Sequence, residues 1–119
     1  MTQPGEDESK RPWGHYEVLA DEAAFKVKSL TVLPGKRLSY QFHRNRSEHW
    51  FVISGSGTVT LDGEDQVVTA GTSVDVPVGV PHRVHNSGTD PLVFIEVQHG
   101  TSFGEDDIVR LEDDFGRSG

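Results

Sequence analysis

The chain has 119 residues, 34% of them hydrophobic, and carries a formal net charge of -8. That length fits one domain with an ordinary apolar core, and the acid excess excludes a protein whose affinity comes from neutralising nucleic-acid phosphates. There is no cysteine, which excludes disulfides, thiolate metal sites and cysteine nucleophiles, so any metal must be held by His, Asp, Glu or Gln.

Residues 1–10 are polar and charged, include Pro4 and Gly5, and read as a disordered tail with no apolar segment of the signal-peptide kind. No apolar run approaches the roughly 20 residues of a membrane span; a cytoplasmic protein without a membrane partner is the expectation. From Trp13 to Gln98 the chain reads as short strands, at 15–20, 25–32, 37–43, 49–53, 57–61, 66–69, 73–76, 82–86 and 92–98. Turn residues separate them: Pro34-Gly35, Gly55-Ser56-Gly57, Asp62-Gly63, Ala70-Gly71, and the two proline-bearing stretches that begin at Pro77 and Asn86. Asp62-Gly63 between apolar runs is a strong hairpin signal. Strands at this spacing, with no helical periodicity between them, predict an all-β antiparallel sandwich or barrel. A short helical turn is expected at 106–111, in an acidic end where Arg110 and Arg117 either fold over a cavity mouth or pair with neighbouring acids.

The charge is unevenly placed. Lys26, Lys28, Lys36, Arg37, Arg44 and Arg46 are six of the eleven bases, in a stretch without an acid. A basic region in an acidic protein suits a small anionic ligand, although a solvated face explains it equally well.

Two stretches carry candidate chemistry. The first holds Gly35, Gln41, His43, Glu48 and Gly55; the second holds Gly71, Pro77, Gly79, His82 and Asn86. On a strand, residues two apart face the same side, so Ser39, Gln41 and His43 point together. Glu48 opens the next strand after a short turn and can face back into the same space. His82 opens a later strand after a turn rich in proline and glycine. A lone His on a strand is ordinarily structural, but this joint spacing changes the balance. A buried carboxylate is costly without a partner, so a barrel-facing Glu48 calls for a cation. Imidazoles with a carboxylate and an amide oxygen suit one divalent ion of Mn, Fe, Co, Ni or Zn, and two His with one carboxylate leave positions open for a substrate. Gln41 is the weakest ligand of the four, because its amide serves as well as a hydrogen-bonding neighbour. His49 and His85 have the opposite parity, and His15 and His99 read as surface residues.

These two stretches resemble the two motifs of the cupin superfamily at every fixed position but one, where Gln41 stands for the usual first His. The resemblance implies a double-stranded β-helix, a jelly-roll barrel of antiparallel strands formed by a single domain at 11–119, with metal held by Gln41, His43, Glu48 and His82. A narrower resemblance runs from Arg11 to Arg117. Arg11-Pro12-Trp13-Gly14, Gln41-Phe42-His43, Arg46-Ser47-Glu48-His49-Trp50, Ile53-Ser54-Gly55, Glu96-Val97-Gln98 and the run from Gly104 to Arg110 are similar to the type II mannose-6-phosphate isomerases. Those sequences usually form the C-terminal cupin of a bifunctional guanylyltransferase and isomerase, and have Gln at the position of Gln41. Here their run of three His is reduced to His43, followed by Arg44 and Asn45, and the nucleotidyltransferase half is missing from this sequence.

The resemblance implies interconversion of mannose 6-phosphate and fructose 6-phosphate, in which a proton leaves a carbon beside a carbonyl and returns to its neighbour. Glu48 serves as base if loosely held by the metal; otherwise His85, His49 or hydroxide must. Lys28, Arg44 and Arg46 are the candidates for the sugar-phosphate anion, and Trp50, sharing parity with Glu48, lines the cavity or simply packs. Two alternatives stay open: a metal-dependent dioxygenase, and a sugar-phosphate-binding module without catalysis. A homodimer is expected, with the N-terminal strand a candidate exchange element and Trp13 its anchor.

Overall fold

The computed structural model describes residues 10–114; the expected tail up to residue 9, and Arg117, lie outside them. The strands are β1 (Lys10–Arg11), β2 (Gly14–Asp21), β3 (Phe25–Val32), β4 (Tyr40–His43), β5 (Arg46–Ser54), β6 (Ser56–Leu61), β7 (Glu64–Thr69), β8 (Ser73–Val76), β9 (His82–His85), β10 (Leu92–Gly100) and β11 (Ile108–Glu112). They form a six-stranded sheet in the order β1-β2-β3-β10-β5-β8 and a five-stranded sheet in the order β11-β4-β9-β6-β7. Every pairing is antiparallel. The antiparallel all-β reading therefore holds.

Three boundaries differ from expectation by more than two residues. The helical turn foreseen at 106–111 is a 3-10 turn at Glu105–Asp107, followed at once by β11, because Ile108, Val109 and Arg110 find a partner edge in β4. The strand expected from residue 37 begins at Tyr40; Arg37 makes only an isolated bridge to His85. In its place, Gly35 N donates to Asn86 O and Asn86 N to Lys36 O, tying the two motif ends together. The strand expected from residue 49 begins at Arg46, paired with Gly100 of β10. The Asp62-Gly63 hairpin is as foreseen. Both residues have positive φ, 49° and 82°, as a two-residue type I′ turn requires, and Leu61 pairs with Glu64.

Inward-facing residues divide the space between the sheets into a dry half and a polar half. Along β10 they run Leu92, Phe94, Glu96, Gln98; along β3, from its far end, Val32, Leu30, Lys28, Lys26; along β5, Val52, Trp50, Glu48. The register aligns these rows. Phe94 pairs with Leu30 and Val52, Glu96 with Lys28 and Trp50, and Gln98 with Lys26 and Glu48. Leu30, Val32, Val52, Leu92 and Phe94 fill the dry half with Val59, Val68, Val74, Val76 and Val84. The same strands change from apolar to charged at one level, and the charged level floors a cavity.

Asn86 closes the second motif structurally. It is fully buried; its Nδ2 donates to Val32 O and Asp90 O at 2.8 Å each, and its Oδ1 accepts from Gly88 N at 2.9 Å. Trp13 sits in the core and its carbonyl accepts from Leu33 N at 2.9 Å.

Candidate metal centre and its cavity

The two sheets contribute the cluster jointly. His43 lies on β4 and His82 on β9, neighbours in one sheet through the Gln41–His82 pairing, while Glu48 faces them from β5 in the other. The turn before His82 is fixed by Gly79, whose φ of 80° a side chain would resist and whose N–H donates to His43 O at 2.8 Å. One ligand atom from each of His43, Glu48 and His82 lies within 4.8 Å of the others. His43 Nε2 stands 3.0 Å and His82 Nε2 3.9 Å from the Glu48 carboxylate. Both Nε2 atoms are buried; that of His43 is in close contact with the Glu48 carboxylate, whereas that of His82 makes no hydrogen bond. A buried polar atom without a partner is rare, and an unpartnered His82 Nε2 beside a carboxylate that a second imidazole also meets fits a cation. The Nδ1–H of His82 donates to Val80 O at 2.9 Å, which leaves the Nε2 lone pair facing Glu48, the usual arrangement of a ligating imidazole. The cluster could therefore hold a divalent ion.

Glu48 is oriented by its neighbours. Trp50 Nε1 donates to its Oε1 at 3.0 Å and Gln98 Nε2 to its Oε2 at 3.2 Å, with Arg46 Nε 3.7 Å from Oε2. Burial pushes this carboxyl up, but the close contact with His43 and the charges of His82 and His43 prevail and hold it below the usual range. Glu96 behaves oppositely. Its Oε1 accepts from Gln98 Nε2 at 2.8 Å, and burial together with the charge of Glu48 raises its carboxyl well above the ordinary value. Two carboxyl groups joined by one amide are thus driven apart in acidity. Burial lowers His82 and also Lys28, although Glu96 opposes the latter shift.

The cluster opens on a cavity of about 460 Å³. Gln41, His43, Glu48, Lys28 and Arg46 line it, as expected. Gln41 Oε1 accepts from Ser39 Oγ at 2.8 Å, so its amide oxygen is already engaged beside the cluster. Three expectations need correction. His85, considered as a base, is on the other face of β9, because it is an odd number of residues from His82; it lines a separate cleft with Arg37, Tyr40 and Arg83. The side chain of Arg44 is exposed and lies over the Phe42 ring at 6.0 Å, away from the cavity. Trp50 is buried beneath the cluster, edge-on to His82 at 5.5 Å; it positions Glu48 and does not line the cavity. His49 faces outward and pairs with Asp75. Sequence reading passed over Glu96, Gln98, Lys26 and Arg11 as cavity residues. The period-two alternation from Phe94 through Gln98 carried that signal.

Residues 3–113 match the family model described as mannose-6-phosphate isomerase, C-terminal. The chain belongs to this family. It is 49% identical over 108 residues to the xanthan biosynthesis protein XanB of Xanthomonas campestris, covering 91% of this chain and 23% of that protein. It is 41% identical over 107 residues to a mannose-1-phosphate guanylyltransferase of Klebsiella pneumoniae, covering 90% and 23%. The chain thus spans less than a quarter of the relatives it matches. A crystal structure of a Klebsiella pneumoniae protein with a double-stranded β-helix domain superposes with a TM-score of 0.71 at 25% identity, covering 82% of this chain and 89% of that one. The isomerase-family chain accordingly has the cupin fold that its motifs imply. Among the described residues, no helix is long and apolar enough to cross a membrane.

Proposed function

We propose that this chain is a metal-dependent aldose–ketose isomerase that interconverts mannose 6-phosphate and fructose 6-phosphate. The observation that carries this reading is the His43–Glu48–His82 cluster, of which His43 and Glu48 reach a cavity whose mixed lining includes Lys26, Lys28 and Arg46. It is supported by membership of a family named for that activity. His43, Glu48 and His82 would hold one divalent ion, with Gln41 beside it. The ion, when bound, supplies polarisation of a substrate carbonyl. Trp50 and Gln98 fix the carboxylate that must hold the ion. The proton on the neighbouring carbon needs an acceptor within hydrogen-bond reach. Glu96, on the cavity floor one amide away from Glu48, would serve as that acceptor in its deprotonated form, and His85, on the other face of β9, would not. The test is incubation of protein loaded with Mn, Fe, Co, Ni or Zn with mannose 6-phosphate. Formation of fructose 6-phosphate that disappears in His82→Ala supports the proposal; no turnover with any of these ions rejects it.

One observation favours a second reading, a sugar-phosphate-binding module without turnover: Arg46 Nη2 lies 3.1 Å from His43 Nδ1 and occupies that ring. Saturable binding of mannose 6-phosphate by protein that retains no ion would select it.

A further inference from the structure

Gln41 stands beside both imidazoles. It pairs directly with His82 across β4 and β9, and His43 lies two residues further along the same face of β4. Opposed residues of an antiparallel pair have Cβ atoms about 5 Å apart, so the Gln41 amide is level with the cluster, and it lines the cavity. Its chemistry there depends on which end of the amide is turned toward the cavity.

Ser39 decides that orientation. It is 2% exposed, and the segment before β4 is fastened to β9: Leu38 N donates to Val84 O at 3.0 Å, and Arg83 Nε donates to Leu38 O at 3.1 Å. The Ser39 hydroxyl donates to Gln41 Oε1 at 2.8 Å. With the amide reversed, its NH2 would donate to Ser39 Oγ and the hydroxyl hydrogen would lose its acceptor; among the described residues, no other group accepts from it. A buried donor left without an acceptor is the costlier arrangement. The amide oxygen is therefore kept on Ser39. The NH2 group, which offers donors and no lone pair to an ion, is left for the cavity.

We infer that Gln41 is not a metal ligand but the hydrogen-bond donor to the substrate oxygen that becomes negatively charged, and that Ser39 is its positioning residue. The inference rests on the isomerase reading above and fills a role which that reading leaves unassigned. When the proton beside the carbonyl passes to the Glu96 carboxylate, the electron pair of the C–H bond becomes the new carbon–carbon double bond. The π pair of the carbonyl then moves to its oxygen. A donor set in place beforehand stabilises that developing charge without having to reorient. Gln41 Nε2 meets this requirement because Ser39 holds the other end of the amide, and Leu38, locked to β9, holds the backbone that carries Ser39.

Cobalt(II)-loaded protein titrated with acetohydroxamate, a small ligand with a charged oxygen beside a carbonyl oxygen, tests this through visible absorption and without turnover. Gln41→Leu should take up cobalt with the parent's stoichiometry, affinity and spectrum, and should bind acetohydroxamate about tenfold more weakly, the size of one hydrogen bond to a charged group. Ser39→Ala should also weaken acetohydroxamate. The double variant Ser39→Ala/Gln41→Leu should be no weaker than Gln41→Leu, because the hydroxyl acts through the amide. The double variant, which leaves no orphaned hydroxyl, decides the matter if Gln41→Leu fails to fold. Cobalt lost, or its spectrum altered, in Gln41→Leu before acetohydroxamate is added makes Gln41 a ligand and overturns the inference, and so does an unchanged acetohydroxamate affinity. No cobalt uptake by the parent protein overturns it together with the metal centre. The two readings otherwise fail separately. Variants that behave as expected in a protein that never converts mannose 6-phosphate keep the donor and reject the isomerase. Turnover by the parent protein, with kcat and acetohydroxamate affinity unchanged in Gln41→Leu, keeps the isomerase and rejects the donor.

Discussion

Replacing Glu48 by Gln changes one oxygen for an amide nitrogen and removes one charge, with almost no change of shape. The carboxylate accepts from Trp50 Nε1 at 3.0 Å and from Gln98 Nε2 at 3.2 Å, on different oxygens. An amide has a single acceptor oxygen, so in either orientation one of these buried donors meets an NH2 group. Leaving a buried donor unsatisfied costs about 1–3 kcal/mol. The variant also strips Arg46 of a carboxylate at 3.7 Å, a pair whose attraction is roughly 4–5 kcal/mol at an effective dielectric of about 20. Asp107, 3.8 Å from the same Nε, remains as a partner, so most of that attraction is replaced. The expected net loss for metal-free protein is about 2–4 kcal/mol, at the lower side of what breaking a buried ion pair costs. At this chain length that is roughly 8–16 °C in Tm. Elemental analysis should show the bound ion lost, and urea melts in chelator should show the destabilisation. A Glu48→Gln protein that keeps one equivalent of metal, or melts with the parent in chelator, refutes the account of how the cluster is held.

His82→Ala removes a buried imidazole packed against Trp50 and His43; elemental analysis should find no ion, and the far-ultraviolet spectrum should remain that of a β protein. The pH dependence of metal-free protein has a worked sign. His82, lowered by burial, and Glu48, lowered because its positive neighbours outweigh burial, each contribute stability that is present above their unfolded values, 6.5 and 4.5, and is lost as pH falls. The urea midpoint should therefore begin to decline below about pH 6.5 and fall more steeply below about pH 4.5. Glu96 is raised, by burial first and Glu48 second, so its contribution is present below pH 4.5 and lost as pH rises. Glu96→Gln should gain on the parent protein between pH 5 and 8, and a constant difference would reject that sign. The same variant should keep its ion and lose about 10²-fold or more in kcat if Glu96 moves the proton.

The His43–Glu48–His82 cluster was legible because its signal is local: Gln41 and His43 differ by two, Glu48 follows one short turn, and His82 follows a turn of prolines and glycine. Parity also marked His49 as outward, and the same rule, applied to His85, removes it from the cavity. What resisted reading was long-range register. Nothing local says that Glu96 lies level with Lys28 and Trp50, or Gln98 with Lys26 and Glu48; that alignment is a property of β3, β10 and β5 together. Trp50 illustrates the limit. Its inward parity is readable, but whether an inward side chain meets solvent or core depends on its level in the barrel, and Trp50 sits at the boundary with its ring in the dry half and Nε1 reaching the polar one. Asp107 was hidden differently. It reads as one acid in an acidic tail, yet it is buried and accepts from the backbone N–H of Arg44 and Asn45.

That last contact bears on the cluster itself. A guanidinium has donors only, so the 3.1 Å contact from Arg46 Nη2 makes His43 Nδ1 the acceptor. A neutral imidazole has one protonated nitrogen, and in this state it is Nε2, directed at Glu48. His82 is in the opposite tautomer, with Nδ1–H on Val80 O and its Nε2 lone pair ready. The two imidazoles are therefore not equivalent. His43 cannot accept from Arg46 at Nδ1 and offer a lone pair at Nε2 while neutral, so ligation by Nε2 requires Arg46 to release the ring. The carboxylates of Glu48 and Asp107, at 3.7 and 3.8 Å from Arg46 Nε, are where the released charge can be held. An incoming cation competes with it for Glu48, which leaves Asp107 as the retaining group. The turn at Glu105–Asp107, remote in sequence from every ligand, is in this way tied to the state of His43.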